Sequence, residues 1–310
     1  MKGEDRRKNA YNALAAIDRH IAPQLKKKKY VVIKPNNVST ANQLASTHAD
    51  TLRGILDYVS TRFHGPVVIA ESSAGRTMDG FEHFQYTRLA GEYPRQRIQL
   101  IDLNQEGKYE LAPVLDADLH LTSVRLAARL LDPEAFIISS AMLKTHNTVV
   151  ATLSIKNMVL GAPLHQAPNA AERWNDKRKF HVGVRQTHYN MMLTAQRLRP
   201  FWGASLIDGY EGMEGNGPSS GTAVPSRVAI ASTDFVAADR VGVEAMGINP
   251  AWIGYLLYSW QAGVGQYDLA KIDIEGETVA SVRRSYRMHN DIERELLWMG
   301  TMKELPPKLG

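Results

Sequence analysis

No cysteine occurs among the 310 residues of the chain. That excludes disulfides, thiol nucleophiles, zinc held on thiolates and any iron–sulfur cluster ligated by this chain. Long hydrophobic runs are missing as well, with nothing approaching the roughly 18 apolar residues of a membrane helix. The segment from Met1 to Leu14 has no apolar signal core, and Arg6-Arg7 is a twin arginine without the hydrophobic region of an export signal. The expectation is a cytoplasmic protein that does not enter a membrane. An export leader trimmed ahead of this N-terminus is the alternative. Aromatic residues are sparse around the basic runs Lys26–Lys29 and Lys177–Lys179, where only Tyr30, Trp174 and Phe180 lie near. The net charge of +5 therefore reads as solvated basic faces and not as a nucleic-acid surface. The P-loop spacing, the dinucleotide glycine fingerprint, the serine elbow and the paired-histidine zinc motif are all absent.

What the chain does have is 44% hydrophobic residues, enough for a sizeable core, arranged in alternating periods. Ala10, Leu14, Ile17 and Ile21 fall at helical spacing, predicting a helix over 5–21. Tyr30–Ile33 is a β-branched run that predicts a buried strand ending at Lys34-Pro35. Ser46 or Thr47 is placed to cap a helix carrying Leu52, Ile55, Leu56 and Val59. Pro66–Ala70 and Arg97–Leu103 predict two further strands, with a helix over 81–90 between them. Ala135–Ser140 predicts a buried strand. A helix follows over 188–199, then strands over 204–207 and 228–231, helices over 234–246 and 250–262, and an edge strand over 271–274. Strand alternating with helix predicts an α/β fold, a largely parallel, Rossmann-like sheet flanked by helices. One domain over 1–310 is expected, with a lid-like insertion at about 164–187 and a C-terminal extension at about 277–310.

In such sheets ligands bind beyond the carboxyl ends of the strands, and the chemistry-bearing residues of this sequence gather there. Lys34-Pro35-Asn36-Asn37 either offers an ammonium and two amides to an anion or is a turn. Glu71-Ser72-Ser73-Ala74-Gly75-Arg76 is either an anion loop or a strand-to-helix loop with a serine cap. The glycine-rich segment Asp208–Pro218 reads as a loop whose Asp208 and Glu211 orient a cation or metal, or simply face water; Asn216 lies within it. His181 and His188 read as surface or core histidines. The sharpest group is Lys144, His146, Asn147, Lys156 and Asn157, with two lysines and a histidine after a core strand. Buried charges without partners cost several kcal/mol, so these residues line a pocket or form a polar network. A histidine and a partly desolvated lysine can exchange protons, and the neighbouring positive charges stabilise a carboxylate or an enolate.

On Val31–Asn36, Glu71-Ser72-Ser73, Leu143–His146, Ile155–Met158, Asp208-Gly209, Glu214–Pro218, Ser232–Asp234 and Ala238-Asp239, the chain resembles the family catalogued as domain of unknown function number 362, from about Gly3 to Gly276. The resemblance implies no established activity. Some members are described as iron–sulfur proteins, a property that the absence of cysteine removes here. More distantly the chain is similar to the catalytic domain of lactate racemase, in which a histidine and a lysine stand at the separation of His146 and Lys156. That family works with proton and hydride exchange on histidines and ties a nickel-pincer nucleotide to its lysine. Its glycines are replaced here by Val149–Leu153, so the likeness carries architecture and site placement, and the cofactor stays unknown.

The expectation is an enzyme of isomerase, racemase or lyase type doing acid–base chemistry at carbon on a small anionic metabolite. His146, Lys156 and Lys144 are the expected catalytic residues. Lys34, Asn36, Asn37, Glu71, Ser72, Ser73, Arg76, Asn147, Asn157, Asp208 and Asn216 are expected to bind substrate, and no metal ligand is assigned. A non-catalytic anion-binding protein and a redox-associated or metal-dependent enzyme are the alternatives. The oligomeric state is left open.

Overall fold

The computed structural model describes residues 1–165 and 174–300. Its centre is a sheet whose main strands run Tyr30–Pro35 (β1), Val67–Glu71 (β2), Gln99–Asp102 (β3), Ala135–Thr145 (β6), Trp202–Glu214 (β8) and Val228–Ser232 (β10), ordered β10-β8-β6-β1-β2-β3. The hairpin Tyr109–Leu115 (β4) and Leu121–Ala127 (β5) lies apart, and the short strands Ala151–Thr152 (β7) and Thr222–Val224 (β9) extend β6 and β8. Pairing is parallel from β8 through β6, β1 and β2 to β3, and antiparallel where β10 joins β8. The α/β fold with a largely parallel sheet is thus present. Strands buried on both faces read as continuous aliphatic runs, and for that reason β1, β2 and β6 are legible in the sequence.

Two helical layers cover the sheet. On one face lie Arg6–Ala16 (α1), Asp18–Leu25 (α2), Ala49–Ser60 (α3), Thr77–His83 (α4) and Leu89–Glu92 (α5). After β3 comes the single turn Leu103–Glu106 (α6). The other face carries Ser154–Gly161 (α7), Val184–Leu198 (α8), Phe235–Ala245 (α9) and Gly254–Gln261 (α10). Each layer has its own core: Val31, Ile33, Ile55, Leu56 and Ile138 on the first side, and Val32, Ile137, Leu143, Ile155 and Met191 on the second. Among the described residues no helix is long and apolar enough to cross a membrane.

Several expectations change. The helix over 5–21 breaks at Ile17 into α1 and α2. The cap of α3 is His48, whose Nδ1 accepts from the Asp50 amide. Thr47 instead uses its hydroxyl to accept from the Asn36 amide and donate to the Ser140 carbonyl. Residues 81–90 fall in three short helical pieces, the end of α4, a turn at Tyr86–Arg88 and the start of α5, not one helix. Asp208 to Glu214 belong to β8 and are not a loop after it. Gly209 allows this, because a Cβ there would lie 2.7 Å from Leu143 and 2.8 Å from Val228 across the neighbouring strands. No strand forms at 271–274; Leu269–Lys271 is one helical turn. Of the lid-like segment, 166–173 lie outside the described residues, while Asp176–Phe180 is a helical turn and α8 begins at Val184. Residues 301–310 of the C-terminal extension also lie outside them.

Candidate active site

Strand order reverses between β1 and β6, with successive strands running outward to either side. That is the topological switch point at which α/β sheets place their ligands. A cleft of about 380 Å³, its open mouth included, lies at these carboxyl ends, lined among others by Lys34, Asn36, Asn37, Glu71, Ser72, Ser73, Lys156, Asn157 and Lys177. Most of the residues that the sequence singles out therefore come together.

Lys34 is the floor of the cleft. Fully buried, its Nζ donates to Glu71 Oε2 at 2.9 Å, Asn157 Oδ1 at 3.1 Å and the Pro35 carbonyl at 3.1 Å, which uses all three of its donors. Glu71 in turn accepts from the amides of Ser72 and Asn37. Asn157 reaches back to the Lys34 carbonyl and the Ser139 hydroxyl. Burial lowers the Lys34 amine and the Glu71 carboxylate opposes it. Gly161 is required here: a Cβ would stand 2.1 Å from Lys34 Nζ.

Lys156 differs. At 8% exposure its amine has no hydrogen-bond or ion-pair partner among the described residues. Burial, then the Lys34 ammonium, pushes it down to about 7. Its position is fixed through the start of α7, where the amides of Ser154 and Ile155 donate to the two carboxylate oxygens of buried Asp239 at 2.8 and 3.0 Å. Lys177 crosses the cleft to donate to Ser72 Oγ and the Leu160 carbonyl, and burial, outweighing Glu71, brings it to about 7 as well. The basic run led to a solvated reading of Lys177. Only its contacts with residues 72 and 160 make it a site residue, and no local pattern announces those.

The cleft wall also holds polar atoms with nothing to bond. Asn36 Oδ1, both side-chain polar atoms of Asn37 and Ser73 Oγ are buried and unpartnered among the described residues. Buried polar groups are nearly always paired, so each such atom needs an explanation. Four around one hollow are accounted for together by a ligand or by ordered water.

The other expected site residues stand outside this wall. Lys144 is fully buried and donates to the Ala45 carbonyl at 2.5 Å. His146 is buried just past β6, and its Nδ1 accepts from the Thr148 and Val149 amides, which leaves the hydrogen on Nε2. Burial, then Lys156, holds it well below the ordinary histidine range, so it is neutral. The turn that carries it is strained: Val150, a β-branched residue, has φ +67°, and its amide is held by buried Glu295. Arg76 is exposed beside Asp79, Asn147 is exposed, and Asn216 Oδ1 accepts from the Asn290 amide. Asp208 lies on the opposite face of the sheet, bonded to Thr51 Oγ1 and the Tyr210 amide and paired with Arg6. A group able to hold a metal, Asp116, Asp118 and His120, sits in the β4–β5 turn, away from the cleft wall.

A family described as domain of unknown function (DUF362) matches residues 31–244, and the chain belongs to that family. The crystal structure of a Thermotoga maritima protein, a structural genomics target, matches with a TM-score of 0.50 at 9% identity. The match covers 84% of this chain and 60% of that one, so the chain spans less than two thirds of its length. It is a likeness of fold. No curated protein matches the chain.

Proposed function

We propose that this member of the DUF362 family is an enzyme that moves a proton at a carbon of a small anionic metabolite, as isomerases, racemases and lyases do. One observation carries the reading: a buried amine poised near neutrality, Lys156, faces a cleft whose polar atoms await a partner. An amine at about 7 serves as acid or base at working pH. Lys177 supplies positive charge for a carboxylate or a developing enolate. Lys34 and Glu71 hold the floor rigid, and their pairing leaves the amines of Lys156 and Lys177 as the adjustable charges. His146, neutral and buried outside the cleft wall but within the electrostatic influence of Lys156, is assigned the part of a second proton carrier in this scheme.

The test is exchange of carbon-bound hydrogen for deuterium, followed by NMR, in a panel of small hydroxy, oxo and amino carboxylates, with mass spectrometry of molecules that co-purify. Lys156→Met is expected to slow exchange by about 10²–10⁴-fold, the usual worth of a proton carrier, and His146→Ala to slow it by about tenfold or more. Exchange that survives in both variants removes the mechanism. Binding that persists in Lys156→Met, with no exchange in any protein, favours a non-catalytic anion carrier, which the same unpaired atoms would serve.

A further inference from the structure

We infer that Lys156 is a covalent residue: its amine condenses with the carbonyl of a small 2-oxo acid to form an imine. This rests on the carbon-acid reading above and deepens it by naming a substrate class. The first argument is the contrast among the four lysines at this end of the sheet, three of them buried and Lys177 half-buried. Lys34, Lys144 and Lys177 each donate to oxygen acceptors within 3.1 Å. Lys156 alone among them has no acceptor within the described residues, and it faces an open cleft. A lone pair without a partner, on a helix pinned by Asp239, is how a nucleophilic lysine is presented.

The second argument is the mixture of unpaired atoms. A bare anion would satisfy the donors, Asn37 Nδ2 and Ser73 Oγ, and leave the acceptors Asn36 Oδ1 and Asn37 Oδ1 still unpaired. A ligand that also carries O–H and N–H donors satisfies both kinds. The carbinolamine of a 2-oxo acid has a carboxylate for the first set, and a hydroxyl and an amine hydrogen for the second.

The step balances without an oxidant or reductant. The Lys156 lone pair forms the N–C bond while the carbonyl π pair moves to oxygen, which takes the proton that nitrogen releases. The nitrogen lone pair then makes C=N as the hydroxyl leaves as water, with a proton from the Lys177 ammonium. Products are a protonated imine, water and a neutral Lys177. The imine withdraws electrons from the neighbouring C–H, and neutral Lys177 is then a base in the same cleft.

The full chain, incubated with pyruvate, glyoxylate or 2-oxobutyrate and sodium cyanoborohydride, is expected to gain a single reduced adduct that peptide mapping places on Lys156. In the wild type, trapping should rise about tenfold per pH unit below about 7 as Lys156 loses its proton, and fall again above about 7 as the Lys177 ammonium that expels water is lost. Lys156→Met, checked for folding by its melting curve, should give no adduct. No adduct in the wild type overturns the inference, as does labelling spread over surface lysines or retained in Lys156→Met. Deuterium uptake into pyruvate without any adduct sinks the imine and leaves the proton-transfer reading standing. Absence of both uptake and adduct sinks the two together.

Discussion

The two faces of the sheet each carry a charged cluster, and among the described residues they differ in how many polar atoms they leave open: Arg6 Nε on one, four atoms around the cleft on the other. On the α1–α3 face, the Asp208 carboxylate is buried, accepts from Thr51 and the Tyr210 amide, and is ion-paired at 3.4 Å with Arg6, whose buried Nε makes no hydrogen bond among the described residues and whose guanidinium stacks over Tyr210. On the α7 face the floor of the cleft is well satisfied, with all three Lys34 donors used and both Glu71 oxygens accepting. Its upper wall is not: Asn36, Asn37 and Ser73 keep unmet valences, and the Lys156 amine, at the cleft surface, has no partner among the described residues. Buried charge by itself therefore does not mark a site. A cluster that satisfies itself stabilises the fold, and one that leaves polar atoms open costs stability and is retained for what it binds.

The largest effect is expected at the saturated floor. Glu71→Ala strands a fully buried ammonium with only a carbonyl and an amide for company, and should cost about 3–5 kcal/mol, read from urea unfolding. Lys34→Met combined with Glu71→Leu should recover most of that loss, since removing both charges leaves neither uncompensated. A double variant as unstable as Glu71→Ala would break the comparison. Across the sheet, Asp208→Asn weakens the bonds to Thr51 and Arg6 and should cost about 1–3 kcal/mol. It should leave the trapping of oxo acids at Lys156 unchanged, because Asp208 faces the other helical layer. A loss of trapping there would mean that the two faces are coupled.

How much of this was legible in the sequence follows from the range of the contacts. β1, β2 and β6 declare themselves by continuous aliphatic runs, and their last residues, Lys34 and Glu71, fall at the carboxyl ends where an α/β sheet holds ligands. The hairpin β4–β5 was hidden because Leu111 and Leu121 are exposed on it and Pro113 lies within it, which blurs the alternation that marks a strand. β8 was cut short at Asp208 because glycines read as a loop, although Gly209 and Gly212 serve close strand packing. Lys144 looked catalytic from its place beside His146, but its partner is a carbonyl 99 residues away. Lys177 looked solvated for the same reason in reverse. Which lysine is satisfied and which is left open is decided by tertiary contacts that no spacing encodes.

The smallest expected effect has the opposite sign to the others. Lys156→Met replaces an unpartnered buried amine by an apolar chain of similar length, and should raise the unfolding free energy below pH 7, by about 1–3 kcal/mol. The sign of its pH dependence follows from the lowered amine. The folded value is about 7 against an ordinary 10.5, so between those values the unfolded chain holds a proton at Lys156 that the folded chain does not. Wild-type stability attributable to this residue thus rises with pH across that window, by up to about 1.4 kcal/mol per pH unit, and is flat below it. Lys177 is lowered mainly by burial, which is the same in both proteins, and Lys156→Met removes only a lesser cause, so most of its contribution cancels in the difference. The advantage of Lys156→Met over wild type should therefore be greatest at pH 6 and shrink steadily by pH 9, as measured by paired urea titrations. An advantage that stays constant over that range would mean that Lys156 has found a partner, and that the open wall of the cleft is as closed as the Asp208 side.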